Sequence, residues 1–172
     1  MRYETIHELT IPKIGFGMWR IGGDSYPDSS LNSKSMTALR TALEVGYTHF
    51  DTAEAYASGY SEELLGRAIR ETNTPRENLF ITTKISPEHL AYEQVFRSCE
   101  NSLRRINTEY VDLYLIHWPP RAARDLDEAF RALNKLVRDG KVKHVGVSNF
   151  NLKMLKQAQS IFSKTISALR CP

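Results

Sequence analysis

The sequence predicts an α/β protein of the (β/α)₈ barrel type, though an incomplete one. Three observations carry that expectation: strand-like runs start every 31 to 33 residues, segments of helical periodicity lie between them, and chemically capable polar side chains stand where successive strands finish. The runs are Ile14–Trp19, Tyr47–Asp51, Leu79–Lys84, Val111–His117 and Val142–Asn149. Each is rich in β-branched or aromatic residues or nearly continuously apolar, as strands covered on both faces tend to be.

The intervening helices follow in order. Met36, Leu39 and Leu43 share one face behind Ser33, read as the cap. Leu64, Leu65, Ala68 and Ile69 follow Ser61-Glu62-Glu63, which places a hydroxyl and two carboxylates at a helix N-terminus. Phe96, Cys99, Leu103 and Ile106 form the third apolar face, and Leu126, Phe130, Leu133 and Val137 the fourth, which Asp139-Gly140 ends. Leu152, Leu155 and Ala158 begin a fifth helix, and Thr165–Leu169 reads as a sixth strand.

Strand and helix alternating at this period mean βαβ units and a parallel sheet. An open doubly wound sheet would carry G-x-G-x-x-G in its first strand–helix turn. Gly15-Phe16-Gly17-Met18-Trp19-Arg20 has two of the three glycines, and about a dozen residues separate it from the first helix. A closed TIM-barrel architecture needs eight such units, roughly 250 residues. Residues 1–172 supply five to six. The expectation is therefore one domain, residues 1–172, an incomplete barrel without its last strands.

Composition narrows the function. Lys plus Arg is 23 against 20 Asp plus Glu, a net charge of +3, and no concentrated basic stripe points to nucleic acid. No apolar run approaches the ~18 residues that span a bilayer, and the N-terminal residues lack the apolar core of a secretory signal. Two cysteines, Cys99 and Cys171, make neither a disulfide framework nor a cysteine zinc site. The expected setting is cytoplasmic, with neither nucleic acid nor membrane as partner.

Strand ends carry the chemistry. Asp51, Lys84, His117 and Ser148-Asn149 close four consecutive strands. In a β/α barrel the C-terminal strand ends converge on one mouth, where the active site is built. Singly, Asp51 reads as a cap or loop anchor and His117 as a satisfied core histidine. Lysine is rarely buried without a partner, and coincidence of all three beside Tyr56 points to a site. His49-x-Asp51 with His117 offers a metal alternative, but no H-x-x-x-H or paired-cysteine spacing supports it, and His49 suits a barrel-interior layer.

Three stretches resemble the aldo-keto reductases. They are Gly46-Tyr47-Thr48-His49-Phe50-Asp51-Thr52-Ala53-Glu54-Ala55-Tyr56 with Ser61-Glu62-Glu63-Leu64-Leu65-Gly66, then Val111-Asp112-Leu113-Tyr114-Leu115-Ile116-His117-Trp118-Pro119, then Gly140-Lys141-Val142-Lys143-His144-Val145-Gly146-Val147-Ser148-Asn149-Phe150. The similarity runs in register from about Leu9 to Ile166, with Ala57 where family members usually have glycine.

That resemblance implies reduction of aldehydes and ketones with NADPH, or less often NADH, without a metal. It assigns Asp51, Tyr56, Lys84 and His117 as the catalytic tetrad. Hydride reaching a carbonyl carbon leaves an oxyanion that needs a proton and hydrogen-bond donors. Tyr56 would give the proton, Lys84 would stabilise the phenolate, Asp51 would hold Lys84, and His117 would orient the substrate oxygen. Ser148 and Asn149 would hold the nicotinamide carboxamide, with Asp51, Gly17 and Met18 also lining the cofactor. Trp19 and Trp118 would wall an apolar substrate pocket beside Tyr56 and His117.

The resemblance also implies what is missing. Arg170 stands where a nicotinamide-contacting glutamine is usual, and the stacking aromatic, the last two strands, the cofactor-phosphate clamp and the C-terminal loop have no counterpart. Losing two or three charge-assisted hydrogen bonds at the cofactor phosphates, at about 1.5–3 kcal/mol each, would weaken NADPH by on the order of 10³-fold or more. Open sheet edges would favour self-association. The alternative to a reductase is a non-enzymatic remnant or interaction module on the same scaffold.

Overall fold

An antiparallel hairpin, β1 (Tyr3–Ile6) and β2 (Leu9–Pro12), comes first and pairs Tyr3 with Pro12. The sequence reading left it out, because His7-Glu8 between the strands carries no turn signal of the Asn-Gly kind. The computed structural model describes residues 2–6, 9–120 and 124–169.

The main sheet follows in chain order. It contains β3 (Phe16–Gly17), β4 (His49–Asp51), β5 (Phe80–Ile85), β6 (Val111–Ile116) and β7 (Val142–Val147), all parallel and each hydrogen-bonded to the next. Between them run α1 (Asn32–Glu44), α2 (Tyr60–Glu71), α3 (Tyr92–Ile106) and α4 (Arg124–Arg138), and α5 (Leu152–Leu169) follows β7. Adjacent helices pack on one another in the same order. This α/β layering with sequential parallel strands is that of an incomplete (β/α)₈ barrel.

The strand side chains divide by parity, because the period of a strand is two. Phe50, Ile81, Ile85, Tyr114 and Ile116 are buried in the core shared with the helices. Leu39, Leu64, Leu65, Val95, Cys99, Leu103, Phe130 and Leu133 meet them there, as the helical spacing predicts. The opposite face of the sheet carries His49, Asp51, Thr82 and Lys84.

Register keeps the functional residues on that inner face. Asp51 lies opposite Thr82, Lys84 opposite Leu115, and Leu115 opposite Gly146. Lys84 stands two residues beyond Thr82, His117 two beyond Leu115 and Ser148 two beyond Gly146, each an even offset that preserves the face. A one-residue slip would have turned each of them into the helix layer.

Three local expectations are corrected. Ser33 does not cap α1: a 3₁₀ turn at Ser29–Leu31 precedes it, and Asp28 Oδ1 accepts from Ser30 N at 3.0 Å. Ser61 does not cap α2 either, since its hydroxyl donates to Met18 O at 3.3 Å and the cap is Gly59, left-handed at φ 90°. Thr165–Leu169, predicted as a strand, continues α5. No glycine or proline interrupts residues 152–169, so the helix has no stop signal, and β propensity decides little away from a strand partner. Arg170 and Cys171 lie outside the described residues. Among the described residues no helix is long and apolar enough to cross a membrane.

Candidate active site

Lys84 is the centre of the site. Its side chain is only 6% exposed, and a lysine ammonium carries three N–H donors that burial obliges it to use. They go to Asp51 Oδ1 at 2.5 Å, Thr52 O at 2.8 Å and Tyr56 Oη at 3.1 Å. All three acceptors come from one segment, the end of β4 and the loop after it. The charge is paired by Asp51, while the phenol oxygen accepts from the ammonium and keeps its own proton free to donate.

Tyr56 is placed by an unusual turn. Ala57 (φ 48°) and Ser58 (φ 53°) are left-handed, and Gly59 continues the run at φ 90°. Such a conformation costs a non-glycine L-residue about 1–2 kcal/mol, so the surroundings must hold it. Ala57 N donates to Asp24 O at 2.8 Å and Ser58 Oγ to Ser25 O at 2.9 Å. The loop after β3 thus grips the turn that carries Tyr56. Ala57, the position at which the resemblance leads one to expect glycine, is left-handed.

Rings surround the phenol. Trp19 meets Tyr56 edge-on with centroids 5.0 Å apart, and His117 meets it at 5.5 Å. Trp118 lies 6.3 Å beyond His117. Trp19 and Trp118 are about half exposed, at 54% and 53%, and form an apolar rim. His117 itself is buried, with its backbone N bonded to Ile85 O at 2.9 Å. Burial pushes its imidazole below the ordinary histidine pKa, and the Lys84 charge pushes the same way, against Asp51 and Glu54. The neutral ring makes no side-chain hydrogen bond among the described residues, so its N–H is available.

The end of β7 offers a second set of donors. Ser148 N donates to Ile116 O at 2.8 Å, continuing the β6–β7 pairing. Asn149 is left-handed at φ 62°, and its Nδ2 donates to His117 O at 2.8 Å and Ser148 Oγ at 3.1 Å. Among the described residues this leaves Asn149 Oδ1 as an acceptor and the Ser148 hydroxyl as a donor. A primary carboxamide, with one acceptor oxygen and an NH₂ group, matches this pair. On the other side of the mouth, a Cβ added at Gly17 would meet nothing within 4 Å, so space is open beside Asp51, its register partner.

Of the residues singled out from sequence, Asp51, Tyr56, Lys84 and His117 share one cluster, with Trp19 and Trp118 at its rim and Ser148 and Asn149 beside it. Met18 is separate: it is fully buried in the core, its N bonded to Asp51 O and its O taken by Ser61. His49 Nε2 pairs with Thr82 Oγ1 at 3.0 Å in the interior layer. Among the described residues no three His, Cys, Asp or Glu side chains are grouped to hold a metal ion.

Two residues of the cluster were missed from sequence. Thr52 contributes a backbone carbonyl, for which no side-chain signal exists. Glu54 lies inside the Asp51–Tyr56 motif but drew no assignment, because its partners Ser86 and His89 are over thirty positions away.

Known proteins carry the same arrangement of elements. The family profile described as Aldo/keto reductase family matches residues 13–170. The methylglyoxal reductase YeaE of Escherichia coli is 38% identical over 144 residues, which cover 84% of this chain and 48% of YeaE. A thermostable aldo-keto reductase, Tm1743, whose structure was solved with the inhibitor epalrestat, superposes with a TM-score of 0.88 at 44% identity, covering 94% of this chain and 58% of the other. An aldo-keto reductase from Klebsiella pneumoniae in complex with NADPH gives a TM-score of 0.77 at 36% identity, covering 91% of this chain and 53% of the other. The chain spans about half the length of the curated relatives it matches.

Proposed function

The chain belongs to the aldo/keto reductase family, and we propose that it carries the proton-donating site of an NADPH-dependent reductase of small aldehydes and ketones. The single observation behind this reading is the Lys84 ammonium, whose three donors reach Asp51, Thr52 and Tyr56 at once.

NADPH, when bound, supplies the hydride. The chain's own groups do the rest. The substrate carbonyl lies between the apolar rim of Trp19 and Trp118, with its oxygen toward Tyr56 and His117. Neutral His117 donates a hydrogen bond to that oxygen and fixes its direction. As negative charge develops there, Tyr56 Oη gives up its proton and the alcohol forms. The phenolate left behind faces the Lys84 ammonium, which Asp51 keeps charged and aimed, and water returns the proton. Ser148 and Asn149 hold the nicotinamide carboxamide, with Gly17 and Asp51 on the open side. Hydrogen-bond donors fixed before the reaction act without reorganising, which is the main source of their effect.

Relatives named as methylglyoxal reductases make a small α-oxoaldehyde the first substrate to try. NADPH fluorescence titration reads binding, and aldehyde-dependent NADPH oxidation reads turnover. Tyr56→Phe removes the proton and is expected to lower kcat by roughly 10²–10⁴-fold while leaving binding in place. No NADPH binding at millimolar concentration, or an unchanged rate in Tyr56→Phe, would overturn the reading.

A further inference from the structure

Glu54 has a buried carboxylate, 8% exposed, that the mechanism above does not use. Its backbone N–H donates to Lys84 O at 3.2 Å, and Thr52 N to Thr82 O at 2.9 Å, so the loop after β4 stays paired with β5 beyond the end of the strand. Its Oε1 accepts from Ser86 N at 2.6 Å and contacts His89 Nδ1 at 2.9 Å. The loop leading into Tyr56 is thereby fastened, through one side chain, to the segment leaving Lys84.

We propose that Glu54 is a positioning residue: its carboxylate clamps the loop carrying Tyr56 to the segment after Lys84 and so holds phenol and ammonium in contact. The proposal rests on reading Tyr56 and Lys84 as the reacting pair. Two features distinguish Glu54 from an ordinary loop tie. A buried carboxylate with two donors on one oxygen resists displacement, since leaving would strand Ser86 N and the charge together. Its charge also reaches the site. The charged groups acting on His117 are Lys84 from β5, Asp51 from the end of β4 and Glu54 from the following loop, and Glu54 favours the imidazolium.

The test uses the full chain labelled at histidine Cε1 and tyrosine Cζ, with Glu54→Gln and Glu54→Ala. Gln keeps an acceptor for Ser86 N and removes the charge; Ala removes both. In both variants the His117 titration midpoint should fall, and in Glu54→Ala the Tyr56 ring signal should shift as its contact with Lys84 loosens. Misplacement of a reacting group by an ångström can cost about 10²-fold, so kcat in Glu54→Ala should drop by about that factor with NADPH affinity unchanged. An unmoved Tyr56 signal and kcat in Glu54→Ala would overturn the proposal. Should Glu54→Ala not fold, Glu54→Asp, whose carboxylate falls one methylene short of Ser86 N, takes its place, and an unmoved Tyr56 signal and kcat there overturn the proposal. A wild-type chain without turnover would remove the reductase reading, while the His117 and Tyr56 signals would still decide the role of Glu54.

Discussion

Removing the guanidinium of Arg105 should loosen α2 from α3. Glu62, fully buried in the first turn of α2, receives Arg105 Nε at 2.6 Å on one oxygen and Thr83 Oγ1 at 2.6 Å on the other. Arg105→Met keeps most of the aliphatic stem and leaves the carboxylate with the hydroxyls of Thr83 and Ser102 but no compensating charge. Breaking a buried pair in this way costs about 3–5 kcal/mol, a large share of the ~5–15 kcal/mol that holds a domain together. The loss depends on pH with a definite sign. Burial pushes the Glu62 carboxyl above its ordinary value of 4.5, and Arg105 is the strongest influence pulling it back. A raised folded-state pKa means stability that is complete below the unfolded value and is lost as pH rises through the folded one. Without Arg105 the folded value climbs further, so the deficit should be greatest at neutral pH and shrink toward the acid end as Glu62 takes up a proton. Urea unfolding followed by circular dichroism at neutral pH and near pH 5 measures both numbers. The double variant Glu62→Gln/Arg105→Met should recover most of the loss. A deficit under about 1 kcal/mol, or one that does not change with pH, would refute the reasoning.

Gly66→Ala tests packing against propensity in the same helix pair: alanine favours helix by about 1 kcal/mol, but the new Cβ would sit 2.6 Å from the Ile106 carbonyl carbon. Backbone cannot step aside as a side chain can, so the melting temperature should fall, and a rise would show that α2 and α3 separate freely. Tyr114 is fully buried and its hydroxyl has no hydrogen-bond partner among the described residues, so Tyr114→Phe should be neutral or stabilising by about 1 kcal/mol; a clear loss in urea unfolding would contradict this. His117, with its folded pKa held below the usual 6.5 by burial and then by Lys84, should titrate by NMR below that value. Its contribution to stability is present above 6.5 and lost as pH falls through the folded value, and a midpoint at or above the ordinary one would overturn the placement.

Much of the fold was legible because it follows from periodicity. The spacing of the strand runs located all five strands of the main sheet, and the apolar rows at 96–106 and 126–137 located α3 and α4, since burial on one side leaves a mark in the sequence itself. What failed were local signals that tertiary contacts override. Ser33 and Ser61 look like caps, yet Leu31 and Gly59 take those places: α1 grows out of the 3₁₀ turn that Asp28 caps, and Ser61 is drawn inward to Met18 O. Residues 165–169 look like a strand but have no neighbouring strand to define one, and they stay helical.

The sequence nominated Asp51, Lys84 and His117 as acid, ammonium and imidazole at successive strand ends beside the Tyr56 phenol, and the family resemblance joined the four into a tetrad. Only the tertiary structure decided how they are joined: that one ammonium spends its three protons on Asp51, Thr52 and Tyr56, that Met18 belongs to the core, and that Glu54 ties two loops together. Hydrogen-bond geometry arises between segments some thirty residues apart, from strand register and the turns that hold it, and nothing local in the chain encodes a distance of that kind.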